Sequence, residues 1–425
     1  MSPIIADPAG FLEGLFRIAV AEADPMRVVP RHLPERPKGR LMVIGAGKAS
    51  ARMAEAVEAH YGQCEGLVIT RYGYARPCTG IEIVEAAHPV PDSIGEAATG
   101  RLLGLASRCG ENDLVLALIS GGGSALLCSP AEGLTLDDKI RLNTALLASG
   151  APIGDMNIVR KHVSRVKGGQ LAAACHPAAI MSLLISDVPG DDPGQIASGP
   201  TVGDASTPQD ALAILNRWSI DVPDRMREAI LRRSSVVATT DPRFATAETR
   251  IVAAPAASLS AAARSAETSG AETRILGDAL EGEARDLGAE QARFALSLQA
   301  RMALGDRPIL LLSGGECTVT RRGNGIGGPN AEFTLSAALA LDGQRGIHVL
   351  ACDTDGVDGA AEIAGAYAGP DTLETSRCKG VDAAKALYEN DAHRFFGAVS
   401  GQIVTGPTLT NVNDFRAILV LPPTL

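Results

Sequence analysis

The sequence is poor in aromatic residues, which make up 3% of its 425 positions and include one tryptophan, Trp218. Its core must therefore be built from alanine, valine, leucine and isoleucine, and a hydrophobic fraction of 46% is enough for a substantial one. Aliphatic residues of this kind favour buried parallel strands that are covered by helices. At roughly 100–200 residues per domain, the chain length predicts two or three domains.

Several features that define other protein classes are absent from the sequence. No apolar run approaches the ~18 residues of a membrane-spanning helix, and the N-terminus carries Asp7 and Glu13 where a signal peptide needs positive charge. The net charge is −10 and no long basic run occurs, so we expect no nucleic-acid partner and no membrane partner. The eight cysteines show no CxxC spacing, which predicts reduced, buried thiols in a cytoplasmic protein.

Strand-like apolar runs alternate with helical patterns along nearly the whole chain, which predicts an α/β fold. The first series has predicted strands at 41–44, 67–70, 114–119 and 180–185. The second has predicted strands at 249–254, 273–276, 309–312 and 348–352 and a long predicted helix at 281–303. Pro8 and the apolar stripe that follows it predict a further helix at the N-terminus. Between them, residues 201–242 carry weak strand signals and proline-containing turns. We therefore expect two Rossmann-like α/β domains with mostly parallel sheets and an active-site cleft between them. The predicted domains are an N-terminal one at 1–240 and a C-terminal one at 241–425.

The first strand end that carries chemical groups is Gly45–Ser50, where glycines and Lys48 precede a helix. Ligands of open parallel sheets bind beyond the carboxyl ends of strands, and a helix N-terminus offers N–H groups to an anion. Gly45, Gly47 and Lys48 are therefore candidates for binding a phosphate. The motif is not a Walker A loop, and Ser50 replaces the third glycine of a dinucleotide fingerprint. A structural turn with a solvated lysine is the alternative.

Two more strand ends are rich in glycine and serine, and they resemble each other. Adjacent glycines indicate a required backbone shape, and a cradle of N–H groups for a phosphate or carboxylate explains it. A plain flexible loop is the alternative interpretation. The candidate residues are Ser120, Gly121, Gly122, Gly123 and Ser124 in one loop and Ser313, Gly314, Gly315 and Glu316 in the other.

Carboxylates follow two other strands. Asp187 and Asp191 come after the strand at 180–185, and Asp353 and Asp355 come after the strand at 348–352. Such groups suit Mg²⁺ or a base for a hydroxyl proton, although aspartates beside proline and glycine are also common in turns. The second acidic loop is not a calcium-binding EF-hand, because Ala364 stands where the bidentate glutamate is needed.

Taken together, these strand ends resemble the glycerate kinases of the MOFRL group, also labelled hydroxypyruvate reductase-like. The resemblance covers nearly the whole chain and implies ATP-dependent phosphorylation of D-glycerate at its 2-hydroxyl with a divalent metal such as Mg²⁺. It also implies that Lys48, Asp187, Glu316, Asp355 and Asn411 occupy active-site positions. The matching segments are 45–49, 88–92, 118–127, 164–171, 186–192, 198–201, 313–316, 353–359, 405–408 and 411–414.

The resemblance suggests a role for each group. Lys48 would contact the transferring phosphoryl group, and Asp355, with Asp353, would hold Mg²⁺. Asp187 is the first candidate for the group that accepts the glycerate hydroxyl proton, and Asp191 is the second. Glycerate is then the small-molecule substrate, and the oligomeric state stays open, with a homodimer among the options.

One position departs from the family pattern, and two other functions compete with the kinase. The family usually has Gly-Gly-Arg-Asn where this chain has Gly327–Asn330 with a proline, so a cation is missing. Arg321 or Arg322 would replace it, unless both are solvated loop charges.

The competing functions are an NAD(P)H-dependent hydroxypyruvate reductase, for which Arg71 could bind a 2′-phosphate, and a non-catalytic ligand-binding regulator.

Overall fold

The computed structural model describes residues 3–359 and 362–423. The contacts of the chain divide it into two compact units. We call Pro25–Val252 the central unit, and we call Met1–Asp24 together with Ala253–Leu425 the terminal unit, because it contains both ends of the chain. Of the helices described, none combines the length and the apolar character that crossing a bilayer requires.

The first part of the chain forms the two N-terminal helices of the terminal unit and then the whole central unit. Prolines occupy the first helical position of α2 and α10, where the missing N–H group costs nothing. The elements are α1 (Pro3–Ala6), α2 (Pro8–Glu22), α3 (Pro25–Val28), β1 (Leu41–Ala46), α4 (Ser50–Tyr61), β2 (Glu65–Arg71), β3 (Ile81–Ala86), α5 (Ser93–Ala106), β4 (Leu114–Ile119), α6 (Gly123–Leu126), α7 (Leu136–Ala148), α8 (Ile153–His162), α9 (Gln170–Cys175), β5 (Ala179–Ile185), α10 (Pro208–Arg217), α11 (Asp224–Arg233) and β6 (Ala247–Ala253).

The sheet of the central unit has the strand order β3-β2-β1-β4-β5-β6. The pairings from β3 through β5 are all parallel. This is the order of a doubly wound Rossmann-type sheet. β1 is buried along its whole length, as expected for a strand that is covered on both faces. The prediction of a Rossmann-like parallel sheet is confirmed for this unit.

The second part of the chain completes the terminal unit. Its longest helix, α13, is shorter than the 281–303 that the sequence pattern predicted. The elements are α12 (Pro255–Thr268), β7 (Glu272–Gly277), β8 (Gly282–Glu283), α13 (Ala284–Gln299), β9 (Ile309–Gly315), β10 (Cys317–Thr318), α14 (Pro329–Leu341), β11 (Ile347–Asp353), β12 (Gly365–Ala368), α15 (Thr372–Cys378), α16 (Ala383–Tyr388), α17 (Ala392–Val399), β13 (Gln402–Ile403) and β14 (Asp414–Val420).

The large sheet of the terminal unit has the order β13-β12-β11-β14-β9-β7 and is mixed. β7 pairs parallel with β9, whereas the other pairings described are antiparallel. The α/β class is confirmed, but the expectation of mostly parallel strands was wrong for this sheet. An apolar run shows that a strand is buried and does not show the direction of its neighbours, so the sequence pattern could not reveal the difference.

The division into units differs from the expected boundary after residue 240 in two respects. β6 is the edge strand of the central sheet, so that unit extends to Val252. Helix α2 belongs to the terminal unit, because its apolar stripe is buried in that unit's core. The ring centroids of Phe16 and Phe415, for example, are 5.9 Å apart.

Candidate active site

The carboxyl ends of β1 and β4 lie side by side where the strand order of the central sheet changes direction. Ala46, the last residue of β1, pairs with Ile119, the last residue of β4. Beyond this pair, β2 and β3 lie on one side, and β5 and β6 lie on the other. Such switch points are the ligand sites of doubly wound sheets. The first two candidate loops therefore both lie at the switch point.

The glycines after β1 are required by close packing against β4. A Cβ atom on Gly45 would lie 2.2 Å from the carbonyl oxygen of Leu118. Gly47 has a φ of +146°, and a Cβ atom there would lie 2.1 Å from Ser120 Oγ. Packing of the two loops thus accounts for both glycines without a ligand.

The backbone N–H groups that follow β1 are already used inside the protein. The Lys48 N–H donates to the Gly121 carbonyl oxygen at 2.8 Å, and the Ala49 N–H donates to Ser120 Oγ at 3.0 Å. The Ser50 N–H donates to the Gly47 carbonyl oxygen at 3.2 Å. This turn therefore offers little to a pyrophosphate, in contrast to the open helix N-terminus that the sequence suggested.

The N–H groups of the loop after β4 are better placed to receive an anion. Among the described residues, the N–H groups of Gly121 and Gly122 have no hydrogen-bond acceptor. A Cβ atom on Gly122 would lie 3.2 Å from Lys48 Cγ and 3.2 Å from the His88 ring. Two N–H groups, a lysine and a histidine thus meet at the switch point, which is the arrangement expected for binding a phosphate or carboxylate.

Hydrogen bonds connect Ser124 of this loop to the buried residues Ser198 and Asn157. The Oγ of Ser124 lies 2.8 Å from Ser198 Oγ, and Ser198 Oγ donates to Asn157 Oδ1 at 3.2 Å. Ser198 is fully buried, and Asn157 is 3% exposed. Ser124 is therefore fixed by contacts within the protein and helps to hold the loop after β4 in place.

Asp187 and Asp191 both follow β5 and are both half-buried. Asp191 has a φ of +55°, which is uncommon for a residue other than glycine. Its Oδ1 atom is buried and has no hydrogen-bond partner among the described residues. A buried carboxylate oxygen without a partner needs a ligand or a proton to offset its desolvation. The Oδ1 atom of Asp191 is therefore an acceptor that a ligand could use.

In the terminal unit, Ser313, Gly314 and Gly315 are part of β9, not of a loop. Ser313 Oγ accepts a hydrogen bond from the Gln291 amide at 3.1 Å. Gly315 has a φ of +110°, and a Cβ atom there would lie 2.3 Å from the Leu280 nitrogen. Glu316 follows the strand and is exposed. The strand extends three residues further than predicted, because β14 pairs with it as far as Gly315.

Asp353 and Asp355 are held by hydrogen bonds at the carboxyl end of β11. The Asp355 N–H donates to Asp353 Oδ1 at 2.8 Å, and the Val357 N–H donates to Asp355 Oδ1 at 2.8 Å. These hydrogen bonds from backbone N–H groups fix the orientation of the two carboxylates. Asp355 is 1% exposed, and Asp353 is half-buried.

The segment that contains Asn411 lies against this acidic turn. Thr354 Oγ1 donates to the Asn413 carbonyl oxygen at 2.7 Å and accepts from the Val412 N–H at 2.9 Å. Asn411 is buried, and its Oδ1 accepts from the Asn413 N–H at 3.2 Å. The Nδ2 atom of Asn413 is buried without a partner among the described residues. The fold thus brings Asn411 close to Asp353 and Asp355, which are distant from it in sequence.

A buried polar network lies at the start of α14. The Asp358 carboxylate accepts the N–H groups of Asn330 at 2.9 Å and Ala331 at 2.8 Å. Asn330 Nδ2 donates to Asp414 Oδ1 at 2.6 Å, and Arg416 donates to Asp414 Oδ2 at 2.5 Å. Burial raises the pKa of Asp358 to about 7, because the charged form is poorly solvated there.

Across the parts of the chain that the structure covers, no group of three or more His, Cys, Asp or Glu side chains is arranged to hold a metal ion.

Comparison with known proteins identifies the family. Residues 11–231 match a domain of unknown function, DUF4147, and residues 309–414 match the MOFRL family. A protein of Agrobacterium vitis with the provisional name hydroxypyruvate reductase is 50% identical, over 96% of this chain and 94% of its own. The D-glycerate 2-kinase of Thermotoga maritima is 38% identical over 93% of this chain and 94% of its own. A crystal structure of the glycerate kinase from that organism matches with a TM-score of 0.86 and 36% identity, over 97% of this chain and 99% of the other.

The chain belongs to the MOFRL family of glycerate 2-kinases. Against the MOFRL pattern quoted above, Pro329 stands at the arginine position, where it is the first residue of α14. Arg321 and Arg322 are both exposed. The Arg321 guanidinium donates to the carbonyl oxygens of Gly323 and Gly325 in its own loop, at 3.3 and 3.4 Å.

The sequence analysis assigned no role to several residues that the structure places beside the candidate site residues. His88 lies in a segment that matches the family, but a lone histidine gives no further signal. Asn330, Asp414 and Arg416 are far apart from Asp358 in the chain and meet through the packing of α14 on the mixed sheet. Buried polar residues in apolar strands, such as Arg416 in β14, are the signal that could have found this network.

Proposed function

We propose that this protein transfers a phosphoryl group from ATP to the 2-hydroxyl of D-glycerate. The observation that carries the proposal is the structural match to the Thermotoga maritima glycerate kinase, which extends over 97% of this chain. Both sets of strand-end residues described above therefore belong to a fold that a glycerate kinase uses. Kinase activity implies a nucleotide substrate, and ATP is the donor that we propose.

The central unit would supply the contacts to the anionic groups and the base. Phosphoryl transfer is catalysed mainly by positioning and by neutralising charge on the transferring group. Lys48 would contact the transferring phosphoryl oxygens, and the N–H groups of Gly121 and Gly122 would bind a phosphate or the glycerate carboxylate. Asp191 or Asp187 would accept the proton of the attacking hydroxyl. The unpartnered Oδ1 of Asp191 favours that residue.

The terminal unit would supply the metal ligands. Asp353 and Asp355 fit Mg²⁺, because carboxylate oxygens are its preferred protein ligands and backbone N–H groups hold both side chains in place. Bound Mg²⁺ would neutralise charge on the phosphate oxygens of ATP. Asn411 would orient polar groups beside these carboxylates. Glu316 is exposed after β9, where its backbone N–H would bind a phosphate or a carboxylate.

The product decides whether the proposed reaction occurs. We expect ATP, Mg²⁺ and D-glycerate to give 2-phosphoglycerate, which enolase consumes directly in a coupled assay. A signal that appears only after addition of phosphoglycerate mutase would mean that the 3-hydroxyl is phosphorylated, and the proposed regiochemistry would be wrong. Absence of signal under both conditions would contradict glycerate kinase activity itself.

A hydroxypyruvate reductase is the second candidate function, because the 50%-identical relative bears that name. The structure gives little support for a dinucleotide site after β1, where the N–H groups of Lys48 and Ala49 are bonded internally. The Arg71 guanidinium, which could have bound a 2′-phosphate, lies over the Tyr74 ring at 4.8 Å. Oxidation of NADPH by hydroxypyruvate in the presence of the enzyme would favour the reductase. Lack of turnover in this assay and in the kinase assay would favour a ligand-binding regulator.

The Asp355→Asn variant tests the proposed metal site. We expect the apparent affinity for Mg²⁺ to fall about tenfold, or ~1.4 kcal/mol, because an amide carries no charge to offset that of the cation. A magnesium titration of kinase activity at saturating ATP measures the effect, and the KM for glycerate should change less. Asp342→Asn is the control, since that aspartate is an exposed residue of the same unit. An unchanged titration in Asp355→Asn would show that the metal assignment is mistaken.

A further inference from the structure

Lys139, Arg160 and Lys167 lie on α7, α8 and the segment after α8, and none of them forms a salt bridge with a carboxylate among the described residues. Lys139 lies in the first turns of α7, Arg160 is in α8, and Lys167 follows α8. Arg160 contacts Asn143, which lies one helical turn after Lys139 on α7. Hydrogen bonds through Asn157, Ser198 and Ser124 connect Arg160 to Lys167. The three side chains therefore lie in one region of the central unit. Like charges in one place are unfavourable unless an anion offsets them.

The ammonium group of Lys139 is the least satisfied of the three. Its Nζ atom is buried and has no hydrogen-bond partner among the described residues. Glu96 of α5 is near enough to act on its charge, but no hydrogen bond joins the two groups. Burial lowers the pKa of Lys139, because the charged ammonium form is poorly solvated there. A buried donor that finds no acceptor within the protein is costly, and this suggests that a ligand provides one.

Arg160 and Lys167 are oriented by neutral oxygens, and burial without a counter-charge lowers the pKa of both groups. The Arg160 guanidinium donates to Asn143 Oδ1 at 3.0 and 2.5 Å and to Asn157 Oδ1 at 3.2 Å. Lys167 Nζ donates to the carbonyl oxygen of Ser124 at 2.7 Å. Asn143 lies four residues after Lys139 on α7, so it projects from the same side of the helix as Lys139.

The cluster is linked to the loop after β4. Lys167 holds the carbonyl oxygen of Ser124, which follows directly on Gly122 and Gly123. Asn157 connects Arg160 to Ser198, and Ser198 connects to the Ser124 hydroxyl. An anion bound by the three cations would therefore be tied through α6 to the N–H groups that we assign to phosphate or carboxylate binding.

We propose that Lys139, Arg160 and Lys167 form a second anion site in the central unit, which binds a single oxyanion group such as a phosphate or a carboxylate. The group could be carried by the nucleotide, by the phosphorylated product or by a hydroxy acid, since all of them present oxygens with the same chemistry. The site does not depend on the proposed function, because its binding of inorganic phosphate can be measured without turnover.

The test compares binding in the wild type with binding in variants of α7. Inorganic phosphate, D-glycerate and ATP are titrated separately by calorimetry, and the probe that binds identifies the source of the oxyanion. In Lys139→Met we expect the Kd for at least one probe to rise tenfold or more. We also expect the ligand-free variant to melt at a higher temperature, because a buried amine without a partner is replaced by a side chain that packs well. Arg141→Met is the matched control, since Arg141 lies on the same helix but is 75% exposed and pairs with Asp137.

Two further variants keep the result decisive. Lys139→Arg retains the charge and should retain most of the binding, which separates loss of charge from damage to the fold. The same titrations in a Lys48→Ala background remove the contribution of the loop after β1, and the effect of Lys139→Met should persist there. Equal affinities in the wild type and Lys139→Met for all three probes would overturn the proposal, and so would failure of all three to bind the wild type.

Discussion

Replacing Lys48 with alanine should lower kcat for glycerate phosphorylation by about 100-fold or more, which corresponds to ~2.7 kcal/mol of transition-state stabilisation. The lysine lies at the switch point beside Gly122 and His88. Its positive charge is suited to neutralise the oxygens of the transferring phosphoryl group, and alanine provides no substitute. Steady-state kinetics with saturating ATP and glycerate measure the effect.

The substitution should leave the fold intact, which separates loss of chemistry from loss of structure. The Lys48 N–H donates to the Gly121 carbonyl oxygen, and alanine keeps this backbone contact, so the circular dichroism spectrum and melting temperature should stay close to those of the wild type. Lys38→Ala, which removes an exposed charge from the same unit, should retain full activity. Wild-type turnover in Lys48→Ala would mean that the turn after β1 is a structural element only.

Replacing Arg416 with leucine should destabilise the terminal unit by about 3–5 kcal/mol, because removal of one partner leaves other buried polar groups without compensation. Arg416 is 1% exposed and lies in β14. It donates to the carbonyl oxygens of Gly314 and Gly315 at 3.1 Å each and to the Asp414 carboxylate. Its guanidinium also lies 5.6 Å from the centre of the Phe333 ring.

The loss should be measured by urea unfolding of the full chain and followed by circular dichroism. Trp218 lies in the central unit, so its fluorescence reports on the other part of the molecule. Arg301→Leu removes an exposed arginine from the same unit and should change the free energy of unfolding by less than ~0.5 kcal/mol. An equally small change in Arg416→Leu would show that the Asp414 network does not depend on this arginine.

The sequence predicted the elements around the switch point closely. The strand predicted at 114–119 coincides with β4, and the one at 41–44 lies within β1. Both are continuous apolar runs, followed by Gly45 in one case and by Ser120 and Gly121 in the other, and such local patterns suffice to place a buried strand. The glycines themselves were interpreted less well. Gly45 and Gly47 are needed for packing against β4, and only the neighbouring strand reveals that requirement.

The terminal unit was predicted less completely. The strand β14 and the short strands β12 and β13 carried no assignment from the sequence, and they turn this sheet into a mixed one. The N-terminal helix was predicted from its proline and its apolar stripe, but its burial beside Phe415 requires knowledge of contacts nearly 400 residues apart in sequence. Local periodicity has no information about such pairings.

By itself, the sequence determined the α/β class, the alternation of strands and helices and the strand ends that carry Lys48, Asp187 and Asp355. These features follow from hydrophobic periodicity and from residue types that lie next to each other in the chain. Tertiary structure alone decided which donors and acceptors are left for a ligand. Hydrogen bonds across the fold occupy the N–H groups of Lys48 and Ala49, whereas the buried Asp191 Oδ1 and Lys139 Nζ find no partner in the described part of the chain. Whether a buried polar group is satisfied depends on atoms from distant segments, and their positions are fixed only when the chain has packed.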